Sequence, residues 1–376
     1  MDSNQKKFNI YVFLSTFARS LIEVFIPLIL FKFGYSLKEV VLYFFMYNFI
    51  ELIISYPLAY IATKKGHKLL AITGIISFVL LQVFLNKITY SLLYLFILAS
   101  LYAVYRTGYW LSRRYFNFKI IHKENISYTY SFITIVNQVA VVFAGYVGAL
   151  FLDFIGTFEL TLIAIILFLS SLIPLFLFKF DHDYTNTDFK ISLIKTMKMI
   201  PKRNLYLFGS YEIINVIKFF FALYLFIYVK DTYQTVGIFN LITNLAIILF
   251  AFYYGKKTDG KRNYLRLSIF FVVCIYLLKA NIVNEWLILI SFLEGIALKM
   301  YEISINKEVY TLSKKFEYNN YNLVYEILCK VFRGIVLIIC YFFIDNLKVM
   351  IYISLFMIFI GLFFNIVKVK KKDFKF

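Results

Sequence analysis

Twelve apolar runs, most of them near twenty residues long and divided by short charged or turn-rich breaks, constrain this chain more than any other feature. They cover about residues 8–32, 37–62, 68–86, 90–112, 127–152 and 157–180, then 204–229, 234–256, 264–281, 284–307, 320–344 and 347–369. At about 1.5 Å of rise per residue, each can cross the ~30 Å hydrocarbon core of a bilayer as one helix. A water-soluble domain could not hide this surface, because 62% of the 376 residues are hydrophobic and only 16% are charged. A transmembrane β-barrel would alternate apolar and polar residues over short strands, whereas these runs are continuous. The expected fold is an all-α polytopic membrane protein with twelve transmembrane helices.

The formal charge of +19 invites comparison with nucleic-acid binding, but the cations are distributed as a topology signal. With the N-terminus placed in the cytoplasm, 28 of the 40 Lys and Arg fall on the cytoplasmic side, 6 on the outer side and 6 inside spans. The expectation is a multi-pass protein of the cell membrane with both termini cytoplasmic and no nucleic-acid partner. The basic tail from Lys368 to Lys375 also suits contact with anionic lipid, at about 1 kcal/mol per cation near the surface. The first span lacks a small-residue cleavage site and is expected to be retained.

A polar stretch over 181–203, opening Asp181-His182-Asp183, separates six spans from six. The expected organisation is an N-terminal six-helix bundle over 1–180, a cytoplasmic linker over 181–203 and a C-terminal six-helix bundle with basic tail over 204–376. The halves echo one another. Leu101–Arg114 aligns with Leu293–Asn306 at a shift of 192 residues, matching Tyr109 with Tyr301 and Ser112 with Ser304. Two short basic hairpins also pair, at a shift of 196. The second runs from Gly255 through Asp259 to Lys261 and Arg262, and the first runs from Ala59 through Thr63, Lys64 and Gly66 to Lys68.

These hairpins resemble the signature loop of the major facilitator superfamily of secondary transporters, Gly-x-x-x-Asp-Arg/Lys-x-Gly-Arg/Lys-Arg/Lys. In that family the loop lies between helices 2 and 3 and recurs between helices 8 and 9. The first copy keeps Lys64, Gly66 and Lys68 but has Ala59 and Thr63 for the glycine and aspartate. The second keeps Gly255 and Asp259, with Lys261 and Arg262 following. The resemblance implies two six-helix pseudo-repeats, a central cavity lined by helices 1, 4, 7 and 10, and hairpins that gate its cytoplasmic side.

Ionisable residues inside spans are costly, at roughly 2.5–3.5 kcal/mol each on insertion scales, and so are functional candidates. Arg19 and Glu23 lie one turn apart on span 1, and Arg106 on span 4. Glu212, Asn215 and Lys218 lie on span 7, and Glu294, Lys299, Glu302 and Asn306 on span 10. On the family pattern, Arg19, Glu23, Arg106, Glu212, Lys218, Glu294, Lys299 and Glu302 would face the cavity. Glu51 on span 2 and the stripe Glu326, Lys330, Arg333 on span 11 add further buried charge. Arg113 and Arg114, at the expected end of span 4, read as side chains snorkelling to water. A glutamate beside an arginine can load and release a proton as its surroundings alternate, which makes Glu23 the first coupling candidate, followed by Glu212 and Glu302. Each could equally be one half of a static pair between helices.

The function expected from these features is secondary active transport of a small organic solute by alternating access, coupled to protons and directed outward, by a monomer. Support for export is the stretch Ala144–Ala149, which is similar to the Gly-Pro-x-x-Gly-Gly run of the family's drug/proton antiporters but lacks the proline and one glycine. Arg106 is similar in place to those antiporters' helix-4 arginine, although Trp110 stands where their glycine follows. An importer of the same fold and a non-transporting scaffold or sensor are alternatives, the latter supported by the degraded first hairpin. An integral-membrane transferase fits less well. His67, His122 and His182 all read as loop residues, and the outer loops are too short for a catalytic domain. No nucleotide-binding Gly-x-x-x-x-Gly-Lys-Ser/Thr loop is present, so a pump powered by its own ATPase is not expected, and neither enzyme activity nor a cofactor is expected. Cys274, Cys329 and Cys340 lack metal-ligand spacing, so no metal is expected either. If the second hairpin is the stronger gate, Asp259→Asn reduces solute flux more than Thr63→Ala, with folding preserved in both. Equal effects would contradict that asymmetry.

Overall fold

Local signals set where each span starts and stops. Ser36 opens span 2 with a reciprocal capping box, its backbone N–H donating to Glu39 Oε2 at 2.7 Å while its hydroxyl accepts from the Glu39 N–H at 3.3 Å. The same helix, Leu37–Lys65, ends at Gly66, whose φ of 99° lies in the left-handed region that a side chain disfavours. In span 1 the helix Ser3–Ser20 stops at Leu21, a 3-10 turn follows over Glu23–Phe25, and a second helix, Ile26–Lys32, restarts with Pro27 in its first turn. Pro27 can sit there because the first-turn N–H groups have no intrahelical acceptor.

The computed structural model describes residues 3–120, 126–177, 194–198, 200, 202–229, 232–258, 265–281, 286–313, 318–343 and 346–367. Every regular element among them is helical. After span 2 come His67–Leu85 (span 3), Leu92–Ile120 (span 4), Ile126–Phe154 (span 5), and Thr157–Ser170 with Leu172–Leu177 (span 6). The second half holds Lys202–Tyr224 with a π-helical end Leu225–Val229 (span 7), Tyr233–Thr258 (span 8), Leu265–Asn281 (span 9), Trp286–Ser313 (span 10), Tyr318–Phe342 (span 11) and Leu347–Val367 (span 12). Seven described helices are by themselves long and apolar enough to cross a membrane. Spans 9 and 12 are apolar over the shorter stretches Leu267–Asn281 and Leu347–Phe359, and spans 2, 10 and 11 carry buried charge. Most of the expected linker lies outside the described residues; within it, 194–198 are helical.

The helices pack as two copies of one arrangement. Span 1 packs on 5 and 6, span 2 on 4, and span 3 on 4; span 7 packs on 11 and 12, span 8 on 10, and span 9 on 10. Adding six to each member of the first set gives the second. Individual contacts repeat as well. Tyr109 of span 4 lies 3.4 Å from the Ser15 hydroxyl of span 1, and Tyr301 of span 10 lies 2.6 Å from the Ser210 hydroxyl of span 7. Ser112 and Ser304 each donate back to the carbonyl four residues earlier. The aligned segments Leu101–Arg114 and Leu293–Asn306 are therefore equivalent in space. The halves meet mainly along two helix pairs, 5 against 8 and 2 against 11.

Small residues permit these approaches. A Cβ added at Gly148 would lie 2.1 Å from the Leu21 carbonyl oxygen, at the break in span 1. One added at Gly145 would meet only the side-chain amide nitrogen of Asn240, at 2.9 Å. Backbone cannot yield as a side-chain end can, and overpacking costs typically about 1–3 kcal/mol. Gly148→Ala is accordingly expected to lower the melting temperature of the detergent-solubilised protein, while Gly145→Ala leaves it nearly unchanged. Equal melting temperatures would contradict this packing of span 5 on span 1.

Candidate functional site

The two halves enclose a cavity of about 490 Å³, lined by spans 1, 2, 4, 5, 7, 8, 10 and 11 and by one residue of span 9. This is within the usual size range of small-molecule sites, about 300–1,000 Å³. Its walls combine aromatic rings, among them Tyr43, Phe44, Tyr102 and Phe221, with amides such as Asn137, Asn215 and Asn240 and with buried ions.

The ions form chains. Arg106 of span 4 donates to Glu51 Oε1 of span 2 at 2.9 Å. The other oxygen of Glu51 accepts from Arg333 Nη1 of span 11 at 3.0 Å, and Arg333 Nε donates to Glu212 of span 7 at 3.0 Å, with its second terminal nitrogen on the same oxygen. Cation and anion thus alternate across the boundary between halves, the crossing being Glu51–Arg333. Glu51 is 1% and Arg333 5% exposed, so neither ion can be left alone: removing one partner of a buried pair costs roughly 3–5 kcal/mol.

Three smaller groups surround this chain. Arg19 pairs with Glu23 at 3.1 Å, and Glu23 also accepts the Tyr102 hydroxyl at 2.7 Å. Arg114 pairs with Glu326, which also holds Lys330 at 3.4 Å, while Lys330 donates to the Ser55 hydroxyl at 2.6 Å. Lys279 pairs with Glu294, which accepts the Tyr276 hydroxyl at 2.5 Å, and the Lys279 ammonium sits 3.7 Å from the centroid of the Phe221 ring.

Of the expected cavity residues, Arg19, Glu23, Arg106, Glu212, Lys218, Glu294 and Glu302 lie on the lining. Lys299 does not; it is fully buried behind it and pairs with Glu302 at 3.3 Å. The lining also includes Glu51, Lys279, Glu326 and Arg333, on spans 2, 9 and 11 that the family pattern of helices 1, 4, 7 and 10 omits, and Arg114 of span 4. Arg113 and Arg114 do not snorkel, because span 4 runs on to Ile120 and keeps both inside the helix. Arg113 is buried and donates to the Tyr109 hydroxyl at 2.6 Å and to Asn137 Oδ1 at 2.7 Å. Lys279, one of the six cations that the count places on the outer side with Lys32, Lys38, Lys87, Lys230 and Lys348, turns inward to Glu294. Among the described residues, no three His, Cys, Asp or Glu side chains come together as a metal site.

Contacts between the halves lie on both sides of the cavity. On the side away from the termini, the Asp153 carboxylate of span 5 accepts the backbone N–H groups of Tyr233 at 3.3 Å and Gln234 at 2.8 Å, capping span 8. Phe44 and Phe219 pack with ring centroids 3.6 Å apart nearby in the wall. On the terminal side, Arg114 holds Glu326, Asn322 lies 3.4 Å from the Leu111 carbonyl, and His67 meets Asn319 Oδ1 at 3.1 Å. A second cavity of about 120 Å³ adjoins on that side and shares Trp110, Arg114, Asn137, Tyr211 and Glu302 with the first.

The hairpins divide. His67 is not a loop residue: it starts span 3, is buried, and stacks on Tyr115 at 3.8 Å. Thr63 is buried and turns its hydroxyl back to the Tyr60 carbonyl at 2.8 Å, so it does not cap span 3. Lys64 lies in the last turn of span 2, where its charge suits the helix dipole, Gly66 makes the turn, and Lys68 follows in the first turn of span 3. Gly255 lies in the last turn of span 8. Asp259, Lys261 and Arg262 lie outside the described residues.

The chain matches no curated protein sequence. Among solved structures it is similar to the E. coli fucose:proton symporter FucP, with a TM-score of 0.68 at 14% identity, covering 96% of this chain and 98% of that one. Its sequence matches the Major Facilitator Superfamily profile over residues 8–315. With twelve helices in two equivalent sixes around an ion-lined cavity, this multi-pass membrane protein belongs to the major facilitator superfamily.

Proposed function

We propose that the chain is a secondary active transporter that moves a small organic solute by alternating access and couples that movement to protons. The observation that carries this is the chain Arg106–Glu51–Arg333–Glu212, which joins the two halves on the wall of the cavity between them. Protonating Glu212 or Glu51 removes the charge that Arg333 holds, and Arg333 then changes partner. Since the crossing lies between the halves, a proton there biases how they sit against one another. Glu212 is the leading coupling residue on this account, and Glu23, held by Arg19 and Tyr102, is a second proton site.

For direction we assign symport. The glycines that suggested export, Gly145 and Gly148, are accounted for by the close approaches of span 5 to spans 1 and 8. The similar solved structure is a fucose:proton symporter. We place the termini in the cytoplasm of a cell-membrane monomer from the cation count, and assign the contacts Arg114–Glu326 and His67–Asn319 to its cytoplasmic gate.

The test is flux in proteoliposomes under an imposed pH gradient, using the solute that most stabilises the purified protein in a thermal-shift panel. Accumulation should follow the proton gradient. Glu212→Gln should lose gradient-driven accumulation by at least tenfold while retaining solute exchange between the two sides. Accumulation against the gradient would mark export, and an unaltered gradient response in the variant would remove Glu212 from the coupling role.

A further inference from the structure

We infer that the solute is an organic anion, anchored by the Lys218 ammonium. This rests on the transporter reading of the same cavity and adds a substrate class to it.

Each carboxylate on the lining is already matched. Glu23 holds Arg19, Glu294 holds Lys279, and Glu302 holds Lys299. Glu326 takes two cations, Arg114 and Lys330, while Glu51 and Glu212 share Arg106 and Arg333. Lys218 is left over. It lines the cavity, its side chain is exposed there, and among the described residues no carboxylate lies within ion-pairing distance of it. Counted with their direct partners, the ionisable groups of the lining are eight cations and six carboxylates. Protonating any glutamate only enlarges that surplus, so its sign does not depend on which of them carry protons.

A surplus of positive charge within the membrane thickness is unfavourable unless something supplies the counter-charge, and the cavity is large enough for that to be the solute. Asn215 lies one turn before Lys218 on the same face of span 7 and also lines the cavity. An ammonium and an amide so placed can share the two oxygens of a carboxylate or of a phosphate monoester. Phe219, Phe221 and Phe239 on the same lining offer apolar surface to the rest of the molecule. The chemistry is therefore a small acid with an apolar body. An anionic lipid headgroup shares the acidic group, so the two sources need separate arms of the test.

Ligand binding to the purified full chain, in neutral detergent without anionic lipid, tests the assignment independently of flux. The probes are matched sets on one carbon skeleton: aryl and alkyl carboxylates, the phosphate monoester, the amine and the neutral alcohol. Acids should raise the melting temperature, and amines and alcohols should not. Lys218→Gln should weaken acid binding by at least tenfold without lowering the ligand-free melting temperature, and Lys218→Arg should restore most of that binding. The proposal is overturned if no acid binds, if amines or alcohols bind as well as acids, or if Lys218→Gln leaves acid affinity intact. Stabilisation by an anionic lipid alone, with no response to any free acid, also overturns it. Acid binding without flux would sink the transporter reading and leave the anion site standing.

Discussion

Arg333 is the residue on which the centre of this protein depends. It projects from span 11 between a carboxylate of its own half, Glu212, and one of the other half, Glu51, which Arg106 also grips. In a low-dielectric interior none of these four charges is tolerable alone, so their positions are mutually fixed. The halves pack along the pairs 5–8 and 2–11, and ion pairs cross between them at Glu51–Arg333 and at Arg114–Glu326. A link made of ions responds to a proton, whereas apolar packing does not. That difference turns a structural seam into a candidate for coupling.

The rest of the architecture frames this centre. Asp153 caps span 8 on one side and Arg114 pairs with Glu326 on the other, so the halves touch on both sides of the cavity. The break in span 1 beside Glu23 and the π-helical end of span 7 are irregular backbone at the edge of the cavity, where such backbone can be tolerated in a membrane protein. The close approach of Gly148 to Leu21 packs span 5 against that break.

Much of this was legible in the sequence. The twelve runs, the central polar stretch and the aligned pairs Tyr109/Tyr301 and Ser112/Ser304 pointed to two equivalent sixes, since apolar length and spacing follow directly from bilayer thickness. Cavity ions on spans 1, 4, 7 and 10 were legible because isolated charges in apolar runs stand out. What was hidden depends on where a helix ends and which way it leans. Span 4 continues to Ile120, past a break that hydropathy puts near residue 112, so Arg113 and Arg114 stay inside rather than reaching water. Lys279 sits two residues from the end of span 9 yet turns inward to Glu294, which no cation count along a loop can show. The partnership of Glu51 with Arg333 links positions 282 residues apart, and only the packing of span 2 on span 11 brings them together.

The central claim is that Arg333 and Glu212 form one energetic unit. A double-mutant cycle on thermal stability in detergent measures this directly. Arg333→Gln alone strands Glu212 and should cost about 3–5 kcal/mol, while adding Glu212→Gln to it should recover most of the loss. If the two substitutions are instead simply additive, the two ions are independent and Glu212 cannot act through Arg333 on the link between the halves.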